Sequence, residues 1–174
     1  MKIKNSNDVP VENVTESVAF DEGNLLGTVE GKVRTIATHL GATYVYNDWT
    51  KVNVDFDKLQ YPAIIFIQPA SGNLHVANGQ IKDQPDTQFA FMDKTIYDDN
   101  GVGEDCVVER MKRLCYRFIK AFNESKLFEP LPEDISYRVV IDHLDQMVSG
   151  IIITPRIKER KGVLLCDINI PRNE

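Results

Sequence analysis

The sequence predicts an α+β fold, an antiparallel or mixed sheet packed on one long helix, with a second helix near the N-terminus. Three observations carry this. Over residues 103–122 the apolar Val107, Val108, Met111, Leu114, Cys115, Phe118, Ile119 and Phe122 are spaced by one and three residues. That spacing draws a stripe down one side of a 3.6-residue helix. Strand-like apolar runs flank it, at residues 61–69 and 135–154. The resulting order of helix, strands, helix, strands is that of a sheet with its helices on one face.

The chain has 174 residues, enough for one domain with a real core. Apolar residues make up 43% and charged residues 26%, as in ordinary globular proteins. A net charge of −6 argues against a nucleic-acid module, which would carry a basic stripe. It is compatible with a protein that lines a passage for DNA without gripping it. No apolar run approaches the roughly 20 residues of a membrane span. The start, MKIKNSNDVP, lacks the apolar centre of a signal peptide. Cys106, Cys115 and Cys166 are an odd set. The first two lie nine residues apart on one helix and point to opposite sides at about 100° per residue. Reduced thiols are expected, with Cys115 packed in the core.

Residues 1–20 are polar and aperiodic and read as an arm, with a short turn of helix near residues 11–18. Such an arm is either disordered filler or a segment that lies on a neighbouring subunit. A single domain is expected over residues 21–170. Its first helix spans residues 21–40, with Leu25, Leu26, Val29, Val33, Ile36, Ala37 and Leu40 on one side. Asp21 or Asn24 is the expected cap and Gly41 the stop. Residues 42–48 favour a short strand. Val52, Val54 and Phe56 alternate with polar residues, which predicts a half-exposed strand or extended connection over residues 49–59. The unbroken apolar run at residues 63–67, bracketed by Pro62 and Pro69, predicts a central strand buried on both faces.

Residues 70–86 form a long connector in which Asn78-Gly79 marks a tight turn. A small hairpin of residues 74–76 against 80–82 is expected there. Residues 87–97 predict a strand antiparallel to the central one. The long helix follows, with Asp98, Asp99 or Asn100 as cap and Glu104 and Asp105 at its positive end. After a proline-punctuated connection at 128–132, strands are expected at 135–141, 147–154 and 163–168. The last two are expected to pair as a hairpin, with the charged run 156–161 as its tip.

Little in the sequence carries chemistry. His39, His75 and His143 share no ligand spacing with one another, and no HExxH or local Cys/His pair is present. The carboxylate pairs Asp55/Asp57, Asp98/Asp99, Glu104/Asp105 and Asp142/Asp145 sit next to turns and helix starts, where capping and solvation explain them. Residues 98–105, DDNGVGED, lack the register of a calcium loop. Gly101-Val102-Gly103 lacks the continuation of a phosphate loop, and no GxSxG occurs. No catalytic residue, cofactor or metal site is expected, and the chain is not expected to be an enzyme.

Tyr61-Pro62-Ala63-Ile64 and the late run Met147-Val148-Ser149-Gly150-Ile151-Ile152 carry a resemblance. With the order of elements over residues 22–168, the chain resembles the tail-terminator, tail-completion and neck proteins of tailed bacteriophages. In that family an amphipathic helix precedes a strand opening on Tyr/Phe-Pro-Ala, followed by a hairpin partner, a long helix and closing strands. The resemblance implies a structural virion protein, assembled in the host bacterial cytoplasm. Its copies would form a ring at the head–tail junction or tail terminus, with DNA passing through unbound. The implied partners are copies of itself and other neck or tail proteins, with no membrane. The arm and the connector at 70–86 exceed a minimal terminator.

Subunit contacts are therefore expected at Asn73, His75, Asn78 and Lys82 in the connector and at Arg156, Lys158, Arg160 and Lys161 in the charged run. The alternative is a ferredoxin-like domain that binds a small molecule or regulates at a dimer interface. No Gly-rich loop or convergent polar set speaks for it. A metal-dependent hydrolase using the scattered carboxylates is a third reading, which their spacing disfavours.

Overall fold

A computed structural model describes residues 28–55, 58–95, 101–141 and 147–164. The arm at 1–20, the predicted caps Asp98 to Asn100, and His143 and Cys166 lie outside the described residues. The α+β class holds, with a mixed five-stranded sheet, a long helix and an N-terminal helix.

Helix α1 (Val29–Thr38) opens on Thr28, whose Oγ1 accepts the Gly31 backbone N–H at 3.1 Å. The caps expected at Asp21 or Asn24, with residues 21–27 of the expected helix, lie outside the described residues, and within them the Thr28 hydroxyl caps the first turn. The chain leaves it through Gly41, at φ +72°, as the glycine stop predicts. Strand β1 (Thr43–Asn47) follows. The expected extended segment at 49–59 is instead helix α2 (Trp49–Asp55). Asp48 turns the chain: its Oδ1 accepts the Lys51 N–H at 2.9 Å and its carbonyl accepts that of Val52 at 3.0 Å. That backbone donor also holds the Asp48 carboxyl below the usual carboxylate range. Trp49 and Val52, three apart, then face the sheet together.

Strand β2 (Ala63–Ile67) is buried at every residue and runs parallel to β1. Strands β3 (Gly72–Ala77) and β4 (Gln80–Pro85) form the predicted hairpin, and Asn78 and Gly79 take φ +51° and +71° at its turn. Strand β5 (Gln88–Lys94) is antiparallel to β2, as expected. Helix α3 (Val102–Glu124) starts from Gly101 in the left-handed region, with no side-chain cap. Strands β6 (Tyr137–Val140) and β7 (Val148–Ile153) complete the sheet in the order β1-β2-β5-β7-β6.

Strand β8 (Val163–Leu164) does not pair with β7. It joins β4, Ile81 opposite Val163, and makes a second, three-stranded sheet in the order β3-β4-β8. Close approach permits this: a Cβ on Gly162 would stand 2.1 Å from the Ile81 carbonyl oxygen.

The five-stranded sheet is apolar on both faces. On one, Ile64, Phe66, Phe89, Phe91, Ile151 and Ile153 meet α1 and α3. Rings step from Tyr46 through Phe66, Phe89, Phe118 and Phe122 to Phe128, with centroids 4.6–5.9 Å apart. On the other face, Ala63, Ile65, Ile67, Ala90, Met92 and Ile152 pack with Val52 and Trp49 of α2. Helices thus cover both faces and not one. The period-2 exchange of faces along each strand makes that possible, since the inward residues are apolar on either side apart from the buried Ser149 of β7.

Candidate interaction surfaces

Tyr61, Pro62 and Ala63 build the start of β2. The Tyr61–Pro62 bond is cis, the Pro62 carbonyl accepts the Thr43 N–H at 2.9 Å, and Ala63 is fully buried. The motif docks β1 onto β2.

Asn73 and His75 stand exposed on β3, and Asn78 is exposed at the turn. Lys82 is half-buried and reaches Glu129 at 3.4 Å. The run 156–161 is not a solvated hairpin tip. It is an extended strap in which Ile157 and Glu159 turn inward, 1% and 7% exposed, whereas Arg156, Lys158, Arg160 and Lys161 stay at the surface. The strap bridges Asp86 at one end and Phe128 at the other. The Glu129 N–H donates to the Lys158 carbonyl at 2.8 Å and the Arg160 N–H to the Leu127 carbonyl at 3.1 Å.

One buried ion pair holds the strap in place. Glu159 Oε1 pairs with Lys32 Nζ of α1, which is 3% exposed, and Oε2 accepts the Asp83 N–H of β4 at 3.1 Å. A charge buried this deeply is tolerated only with such partners. The strap and the hairpin, some 75 residues apart in sequence, thereby become one surface element. Lys82, Lys158, Arg160 and Lys161 belong to it together.

Sequence reading missed the apolar part of the surface. Leu74 and Val76 are 71% and 61% exposed on one side of β3. Tyr137 and Val139 are 56% and 41% exposed on β6, opposite Ile153 and Ile151, which belong to the helix-covered face. The β6 strand therefore lies past the cover that α3 provides. Lys112 of α3 reaches back over the Tyr137 ring at 5.3 Å. Ile141 and Met147 beyond the strand, and Tyr116 on α3, are exposed as well. The signal was present as period-2 alternation, Leu74/Val76 and Tyr137/Val139/Ile141, but alternation does not say which side finds a partner.

Among the described residues, chemistry-bearing groups do not gather. Among the described residues, no three His, Cys, Asp or Glu side chains stand close enough to hold a metal ion. Cys106 is exposed and Cys115 is buried, where desolvation pushes its thiol up to about 12. A thiol so poised is a packing group and not a nucleophile at neutral pH. No helix among the described residues is long and apolar enough to cross a membrane. Compared with known proteins, the chain matches no protein-family model and no curated protein.

Proposed function

We propose that this chain is a structural protein of a tailed-bacteriophage virion, of the tail-terminator or neck type. Its copies form a ring at the head–tail junction or tail terminus. The observation that carries the reading is the pair of uncovered apolar margins, Leu74 and Val76 on the hairpin and Tyr137 and Val139 on the end strand β6. They belong to different sheets, so one margin on each copy meets a different margin on the next. Contacts of that heterologous kind close into rings. An unpaired strand edge beside apolar side chains is a liability that a neighbour removes. The element order and Tyr61-Pro62-Ala63 agree with the family resemblance.

In this role the protein works by shape, without catalysis, cofactor or metal. Its negative charge disfavours adhesion to the DNA that passes. Partners are its own copies and adjoining virion proteins, met in the host bacterial cytoplasm. The test is particle size and shape by light scattering and electron microscopy of the purified chain and of its parent particle. Closed rings of more than two copies are expected. A monomer at every concentration, absent from any particle, overturns the reading.

A further inference from the structure

A groove of about 610 Å³ runs between α1 and the C-terminal end of α3. Ile36 and Leu127 give it an apolar floor, and Lys126, Arg160 and Lys161 stand exposed around it. Among the described residues no carboxylate pairs with these three cations. Lys32 at the inner end is already taken by Glu159. A basic groove with an apolar floor matches an acidic occupant that also carries apolar side chains.

The opposite end of α3 has that character. Val102, Asp105, Cys106 and Glu109 are exposed and fall three and four residues apart, on one side of the first turns of the helix. Val102 is 58% exposed. Among the described residues Asp105 has no basic partner, and Glu109 is met by Lys112 alone. The two ends do not meet within one copy, because a helix of 23 residues holds them about 30 Å apart. A groove at one end and its complement at the other make a head-to-tail contact between copies.

The surroundings of both ends fit a single junction. Lys112 joins Glu109 to the Tyr137 ring, so the stripe adjoins the apolar margin of β6. Beyond Lys161, the Gly162 N–H donates to Gln80 Oε1 at 3.4 Å and Val163 pairs with Ile81, so the groove adjoins the hairpin. We infer that the groove of one copy receives the Val102–Glu109 stripe of the next. Val102 and Cys106 lie on the Ile36 and Leu127 floor, and Asp105 and Glu109 stand among Lys126, Arg160 and Lys161. The inference rests on the self-assembly proposed above and adds a charged contact to the junction of the two apolar margins.

Sedimentation of the full chain at low salt tests it. The variants Lys126→Glu/Lys161→Glu and Asp105→Lys/Glu109→Lys change exposed positions only. Each is expected to weaken association about tenfold, with the thermal midpoint within a few degrees of the parent. Combining all four changes returns opposite charges to every junction and should restore association to within about twofold of the unmodified chain. If both paired variants assemble like the unmodified chain, or the fourfold variant stays as weak as either pair, this contact is ruled out and the ring stands without it. If the unmodified chain is monomeric at every concentration, the ring falls and this contact with it.

Discussion

At the scale of single residues, two positions hold more of this structure than their types announce. Gly150, in the middle of β7, lies against the neighbouring strand so closely that an added Cβ would stand 1.9 Å from the Phe91 carbonyl oxygen. That atom is backbone and cannot step aside, so Gly150→Ala is expected to destabilise the fold by about 3 kcal/mol, read from urea unfolding. Lys32 is the second. Lys32→Met strands the Glu159 carboxylate in the interior and is expected to cost about 3–5 kcal/mol, measured the same way. Removing both charges would still leave the Asp83 N–H short of its acceptor. Cys115 supplies a pH signature. Its folded pKa, near 12, stands above the ordinary 9.0, so the unfolded chain loses the proton first. Its influence on stability is therefore absent below about pH 9. Stability then falls as pH rises towards 12, by at most about 1.4 kcal/mol per pH unit. Cys115→Ser should flatten that decline in unfolding curves taken at pH 8 and pH 10. None of the three roles is legible from residue type: a glycine, a lysine and a cysteine in strands and helices have many uses, and only the neighbours decide.

Elements were legible in proportion to their length and to how local their partners are. Helix α3 was plain because a stripe repeated over more than four turns leaves one interpretation. The β3–β4 hairpin was plain because Asn78-Gly79 dictates its own turn. Gly79→Ala would force a Cβ into the left-handed region and is expected to cost about 1 kcal/mol. Helix α2 was misread because Val52, Val54 and Phe56 fall at period 2 by coincidence, while the decisive residue, Asp48, lies just outside the run. Strand β8 was misassigned because pairing with a distant strand leaves no mark in a sequence, and the nearer β7 was the natural guess. In the strap, inward Ile157 and Glu159 alternate with outward cations, but a buried glutamate inside a charged run looks like every other surface charge until Lys32 and Asp83 come into view.

For the whole molecule, the fold class was readable and the character of the exposed surface only half so. The sequence singled out polar residues of hairpin and strap, and the structure adds the exposed apolar Leu74, Val76, Tyr137 and Val139. If the apolar margins are where copies meet, Val76→Asp and Val139→Asp should each leave the thermal midpoint within a few degrees of the parent, because neither side chain contributes to the buried core. Each should cut the ring population at least tenfold in sedimentation profiles, and the two variants mixed should also fail to close rings, since only about one junction in four then joins two unaltered margins. The Glu159 carboxylate has a mechanical meaning that goes past stability. It grips α1 with one oxygen and the hairpin sheet with the other, so the hairpin is not a loose flap hung on the body. Force applied at Asn78 is delivered to the helical layer, and the protein answers a tug at that tip as a stiff lever.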